Sequence, residues 1–207
     1  MYQSRKSHFV AQLFSWYVSC ILKKDFATHH YNKIEVRPDE AILILANHFS
    51  WWDGFLIFQI NRLIFKKRFN VLVGYGDYNE HWYLKYLGAF AAEDNKKDVL
   101  ETLVYAGSLL DDPDNLVLIF PQGRTYTSHV SSIHFEKGVM QIINSSKKKL
   151  QIIFAVNLTD YFGRRKPTVN TYLSNWDAEE YMSLQLLKSE YNKHYDHALK
   201  NQNKVVV

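Results

Sequence analysis

Three short runs of unbroken apolar residues, at 41–46, 116–120 and 152–156, set the strongest limit on how this 207-residue chain folds. Each is rich in branched aliphatics and too short for an ordinary helix, so each reads as a strand buried on both faces. Such strands need helices on both sides of their sheet. Helix-length segments occur at 8–23, 51–64, 95–110, 138–146 and 178–200, and the alternation predicts an α/β domain with a mostly parallel central sheet. Weaker strands are expected at 71–74, 88–93 and 168–173, an edge strand at 32–37, and a helical piece near 80–87. No repeat, linker or low-complexity tract divides the chain. The expected organisation is a single domain: an N-terminal amphipathic helix within 1–30, an α/β domain over 31–176, and a peripheral C-terminal helix and tail over 177–207.

The apolar fraction of 47% and the charged fraction of 22% belong to a globular protein rather than a disordered one. The net charge of +4 is mild for a nucleic-acid binder, although it suits an anionic membrane surface or a phosphorylated substrate. No nucleic-acid partner is expected, and runs such as 147–149 are too short to argue for one. One cysteine, Cys20, excludes an intramolecular disulfide and fits a reducing compartment. No apolar run reaches the ~18 residues that span a bilayer. The nearest, 9–22, follows Arg5 and Lys6 and lacks a small-residue cleavage site, so a secretory signal is not expected.

That segment has apolar residues at 9, 10, 13, 14, 16, 17, 20 and 21, with Gln12, Ser15 and Ser19 opposite. Aromatic residues are abundant at 15%. The same pattern serves a helix packed on the domain or one lying in a bilayer interface, with Trp16 and Tyr17 at headgroup depth. The run 65–69, basic and aromatic, reads first as a solvated helix end and second as another anionic contact.

Chemistry concentrates where the first buried strand ends. Residues 47–54 read Asn-His-Phe-Ser-Trp-Trp-Asp-Gly, so His48 lies at a strand-to-helix corner, where open α/β sheets place ligands. Ser50 and Asp53 have the spacing of a helix capping box. Asp53 also lies one turn beyond His48, and a carboxylate there fixes an imidazole's tautomer and balances its charge when it takes up a proton. That supplies a base and its orienter without an enzyme nucleophile, since no G-x-S-x-G elbow exists in the chain. The nucleophile is then a hydroxyl on the substrate. Alternatively Asp53 only caps the helix, and His48 is an ordinary strand-end histidine. A second group, Phe120-Pro121-Gln122-Gly123-Arg124, follows a buried strand with a tight turn and a guanidinium suited to an anion. The other histidines show no metal-ligand spacing. His29-His30 and His194/His197 read as solvated, and no metal is expected.

Asn47-His48-Phe-Ser-Trp-Trp-Asp53 matches the N-H-x-x-x-x-D block of the glycerolipid (lysophosphatidic acid type) acyltransferases. Phe120-Pro-Gln-Gly-Arg124 resembles their F-P-E-G-T-R block, and Phe135-Glu-Lys137-Gly138 their following F-K-x-G segment. The resemblance runs in register over about 30–160. It implies that His48 deprotonates an acceptor hydroxyl, that Asp53 holds His48, and that Asn47, Ser50, Lys137 and Gly138 support the site. Residues 120–124 would hold the acceptor, and backbone N–H groups near residue 51 an oxyanion. The implied donor is acyl-CoA or acyl carrier protein, with no cofactor. The implied acceptor is a lysophospholipid, glycerol phosphate or related lipid precursor, reached from the cytoplasmic face of the inner membrane by a peripheral protein. Two departures bear on the acceptor. Glu93 or its neighbour stands where the family's second block carries a phosphate-binding arginine, and Gln122 replaces the usual Glu. A non-catalytic lipid- or acyl-carrier-binding protein on the same fold is the alternative.

Overall fold

The computed structural model describes residue 2, residues 8–177 and residues 182–205. Arg5, Lys6 and the stretch 178–181, where the sequence places the start of the C-terminal helix, lie outside the described residues. Along the chain come α1 (His8–Asp25), β1 (Thr28–Tyr31), β2 (Ala41–Ala46), α2 (Asp53–Ile60), β3 (Arg68–Leu72), α3 (Tyr75–Glu80), β4 (Ala89–Phe90), α4 (Lys96–Leu109), β5 (Asn115–Ile119), α5 (Gly138–Ser145), β6 (Leu150–Asp160), β7 (Thr168–Trp176) and α6 (Leu184–Gln202).

The strands form one sheet in the order β1-β7-β6-β2-β5-β3-β4. β6, β2, β5, β3 and β4 run parallel, as the aliphatic runs predict, while β7 turns back antiparallel to β6 and carries β1 parallel to itself. All six residues of β2 are buried. Strand alternation sends Leu43 and Leu45 to one face, among Phe154, Val139, Ile142 and Tyr191, and Ile42, Ile44 and Ala46 to the other, among Ile57, Ile60 and Ile153. The result is three layers, with α4, α5 and α6 on one face and α1 and α2 on the other.

Several sequence expectations move. The edge strand lies at 28–31 rather than 32–37, and residues 32–37 are irregular. Asn32 is still tied to the sheet edge, its side chain pairing with both the N–H and the carbonyl of Leu173 at 2.7 and 2.8 Å. α4 points Ala106 and Leu110 into the core, while Leu100 and Val104 face outward. α6 belongs to the core more than its polar composition suggests, because Leu187, Tyr191, Tyr195 and Ala198 form a fully buried stripe at helical spacing. The buried tyrosine hydroxyls end on main-chain carbonyls, Tyr191 on Ala155 at 2.8 Å and Tyr195 on Val130 at 3.0 Å. At α1 one face is packed on the domain, as the first reading expects, and the other is open. Val18 and Leu22 pack with Phe26, Phe55 and Leu56, whereas Leu13, Trp16 and Tyr17 are exposed. Ser19, expected on the polar outer side, instead faces α2: its hydroxyl donates to the Ser15 carbonyl at 2.8 Å and lies 3.3 Å from Gln59 Oε1.

Candidate active site

β2 runs directly into Asn47 and His48 at its carboxyl end. Beside it, β5 ends at Ile119, in register with Leu45, so Phe120 emerges next to the same corner. The ring of His48 stacks on that of Phe120, with centroids 4.2 Å apart and planes 19° from parallel. Nδ1 of His48 faces Asp53 Oδ2 at 3.5 Å, an ion-pair separation slightly longer than a formed hydrogen bond. His48 lines a cleft of about 610 Å³.

Asp53 is buried, and its carboxylate is used on both sides. Oδ2 accepts the backbone N–H groups of Phe49 and Ser50 at 2.8 and 2.7 Å, while Oδ1 accepts the side-chain amide of Asn157 at 3.2 Å. The capping box is therefore half formed: the acid reaches back as such a box requires, but no side chain caps the helix start at Trp52. Capping does not exclude contact with the imidazole, because the same oxygen, Oδ2, accepts the two N–H groups and lies 3.5 Å from His48 Nδ1, which makes no hydrogen bond among the described residues. Asn47 is fully buried and clasps the main chain of Asn157, accepting its N–H at 2.7 Å and donating to its carbonyl at 3.0 Å. Ser50 contributes through its backbone N–H.

The turn at 120–124 divides its labour. Gln122 is buried and does not line the cleft; its Oε1 accepts the backbone N–H of His48 at 2.7 Å. Pro121 is buried too, and its carbonyl takes the N–H of Glu136 at 2.7 Å. Gly123 closes the turn onto the Phe120 carbonyl with φ of +68°, a left-handed conformation that glycine adopts without strain. Phe120, Gly123 and Arg124 line the cleft. Arg124 Nε donates to the hydroxyl of Tyr126 at 3.0 Å, and Tyr126 N–H bonds the His48 carbonyl at 3.0 Å, which ties the guanidinium to the same corner. Lys137 and Gly138 stand apart from the cleft. Lys137 precedes α5, and Gly138 lies against Leu103 of α4, where an added Cβ would come within 3.1 Å of the leucine.

Most of the cleft is apolar, with Phe55, Phe58, Val71, Leu84 and Leu87 among its walls; the ionisable groups besides His48 are Asp77, His81, Asp94, Arg124 and the Tyr75 phenol. Among the described residues that line it there is no Ser or Cys. Glu93 does not line it and accepts the Tyr2 phenol at 2.8 Å; Tyr75 and Glu93 raise the pKa of that phenol. Arg164, in the loop between β6 and β7, lines a separate hollow with His30 and Asn170. In the basic run at 66–68, Lys67 and Arg68 are already engaged. Lys67 Nζ donates to the carbonyls of Pro38, Glu40 and Pro113, and Arg68 pairs with Asp112.

Sequence reasoning missed the polar residues behind the site. Asn157 and Thr171 face one another across β6 and β7, and the Thr171 hydroxyl donates to Asn157 Oδ1 at 2.7 Å. His29 Nε2 then meets Thr171 Oγ1 at 2.8 Å. Far from being solvated, His29 is desolvated enough that burial, helped by the charge of His30, lowers its pKa to about 4. His194 likewise is lowered by burial and faces the Tyr172 carbonyl at 3.0 Å. The available signal was a polar Asn ending an otherwise apolar strand run. A family model described as Acyltransferase matches residues 28–155, more than half of the chain. No curated protein matches it.

Proposed function

Since the chain belongs to the acyltransferase family, we propose that it moves a fatty acyl group from an acyl thioester to a hydroxyl of a lysophospholipid, glycerol phosphate or related lipid precursor. The thioester is carried by coenzyme A or acyl carrier protein. The observation that carries this reading is His48, held between Phe120 and Asp53 at the wall of a large apolar cleft that offers no serine or cysteine nucleophile.

In this scheme Nε2 of His48 takes the proton of the acceptor hydroxyl as its oxygen attacks the thioester carbonyl. The tetrahedral intermediate collapses with loss of the C–S bond, and the imidazolium returns the proton to the departing sulfur, leaving an ester and a free thiol. Asp53 keeps Nδ1 protonated and balances the imidazolium. The backbone N–H groups of Trp51 and Gly54 take no main-chain partner among the described residues, and both residues line the cleft, so the first turn of α2 supplies donors for the oxyanion. The cleft's volume and aliphatic walls suit an acyl chain. Arg124 is the cation in the cleft for an acceptor phosphate, opposed by Asp77 and Asp94. Lipid access is assigned to the exposed Leu13, Trp16 and Tyr17 of α1, laid against the cytoplasmic face of the inner membrane. Among the described residues no helix is long and apolar enough to cross a membrane.

The test is release of free thiol from acyl-CoA and from acylated carrier protein against a panel of extracted lipids, with acylated products identified by mass spectrometry. His48→Ala should lower kcat by on the order of 10²–10⁴ with an unchanged circular dichroism spectrum. Retained turnover in that variant would overturn the mechanism.

A further inference from the structure

The polar residues behind Asp53 form a single file across the sheet, from α2 through β6 and β7 to the edge strand β1. Asp53 Oδ1 accepts from Asn157, Asn157 Oδ1 accepts from Thr171, and Thr171 Oγ1 meets His29 Nε2. The direction of each bond follows from the one before it. A carboxylate only accepts here, so Asn157 must turn its NH₂ toward Asp53 and its carbonyl oxygen toward Thr171. Thr171 has one proton, which goes to that oxygen, so the remaining contact requires His29 to donate from Nε2. Nε2 of His29 therefore carries a proton, and its buried Nδ1 is left without a partner. A buried polar group without a partner is destabilising, and a file arranged around one asks what the arrangement supports.

Its outcome is to fix Asp53 from the side opposite His48. The two backbone N–H groups hold Oδ2 near His48 Nδ1, and they alone leave the carboxylate able to rotate about χ2, since both act on one oxygen. Asn157 on Oδ1 removes that freedom. Asn157 is itself doubly fixed, its main chain by Asn47 and its amide by Thr171. We propose that Asn157, Thr171 and His29 are positioning residues for the His48–Asp53 pair, a hydrogen-bonded file that locks the rotation of Asp53. The proposal rests on the acyl-transfer reading of His48.

Thr171→Val keeps the shape of the side chain and removes the hydroxyl; His29→Leu breaks the file one step further out, on the edge strand. Two readouts on the full chain separate the proposal from the reading beneath it. One is turnover of acyl-CoA with an acceptor. The other is the ¹⁵N resonances of the His48 ring at one fixed pH, assigned by their loss in His48→Gln. Thr171→Val is expected to lower kcat on the order of 10-fold with both KM values unchanged, and to move the His48 Nδ1 resonance, while Thr171→Ser restores both. His29→Leu should act in the same direction, and it decides the matter if Thr171→Val does not fold. His48 resonances that stay in place in every folded variant overturn the file. A resonance that moves, in a protein whose wild type cleaves no thioester, supports the file and removes the acyl-transfer reading alone.

Discussion

The corner at 47–53 shows how few atoms separate a structural role from a chemical one. Asp53 Oδ2 accepts two backbone N–H groups and faces an imidazole nitrogen at 3.5 Å, so the oxygen that holds the helix start is also the one placed to orient His48 in the proposed mechanism. Gln122 is the counterpart on the other strand end. It stands in the turn that motif resemblance assigns to the acceptor, yet its side chain bonds the main chain of His48 and is buried away from the cleft. The need it meets is a main-chain donor leaving a strand edge with no ladder partner, which costs about 1–3 kcal/mol if left buried and unpaired. Gln122→Leu should therefore destabilise the protein by about 1–3 kcal/mol, measured by urea unfolding. Gln122→Glu, which retains an acceptor oxygen at the same place, should unfold within about 1 kcal/mol of wild type and keep its KM for the acceptor. A raised acceptor KM in the Glu variant, with stability intact, would move Gln122 into the binding site.

At the scale of elements, what was legible depended on how many constraints acted on a segment. β2 and β5 were plain because residues buried on both faces leave no polar choice, and both were found within a residue of expectation. The corner holding His48 was legible for the same reason. β1 was not, since Thr28-His29-His30-Tyr31 carries no apolar alternation, and what seats it is pairing with β7 together with the His29–Thr171 bond. Asn157 was missed because β6 continues four residues past its aliphatic run, in a part of the strand chosen for polar contacts. In α4 the large aliphatics Leu100 and Val104 face outward, and the buried stripe is made of the smaller Thr102, Ala106 and Gly107. Gly107 meets α5 there, and a Cβ added to it would come within 2.5 Å of the Ile142 carbonyl and the Ser145 Cβ. Helix backbones this close tolerate no methyl group, so Gly107→Ala should cost about 1–3 kcal/mol through overpacking, a fall in Tm of roughly 3–10 °C. Gly138→Ala presses only on the movable end of Leu103 and should cost less. Equal Tm values for the two variants would show that the crossing relaxes.

For the whole molecule, the three-layer sandwich determines what surrounds each titratable group and which surfaces remain free. Desolvation by burial, then repulsion from His30, places the pKa of His29 near 4, against an ordinary value of 6.5. A depressed pKa means the unfolded chain binds the proton more readily. Its stabilising effect is complete above pH 6.5, erodes between 6.5 and 4, and is gone below 4, a loss of about 3 kcal/mol. His194, also lowered by burial, acts with the same sign. His29→Gln retains a donor for Thr171 and cannot titrate, so its stability should fall less steeply over that interval, followed by urea midpoints at each pH; matching slopes would clear His29. The last consequence concerns α1, which has one packed face and one open face. Removing 8–23 would not test the proposed membrane contact alone, because Val18 and Leu22 pack under α2 against Phe55 and Leu56, next to the corner that holds His48. The outward residues are separable from that core. Trp16 is 69% exposed and Leu13 55%, so replacing both with serine should leave Tm within a degree or two. An amphipathic helix binds in proportion to the apolar area it buries in the interface, and two large side chains are worth a few kcal/mol there. Co-sedimentation of the double variant with vesicles containing anionic lipid should fall roughly 10-fold or more. Thioester cleavage with a water-soluble acceptor should be unchanged, because neither residue lines the cleft. Undiminished vesicle binding would place the membrane contact elsewhere on the surface.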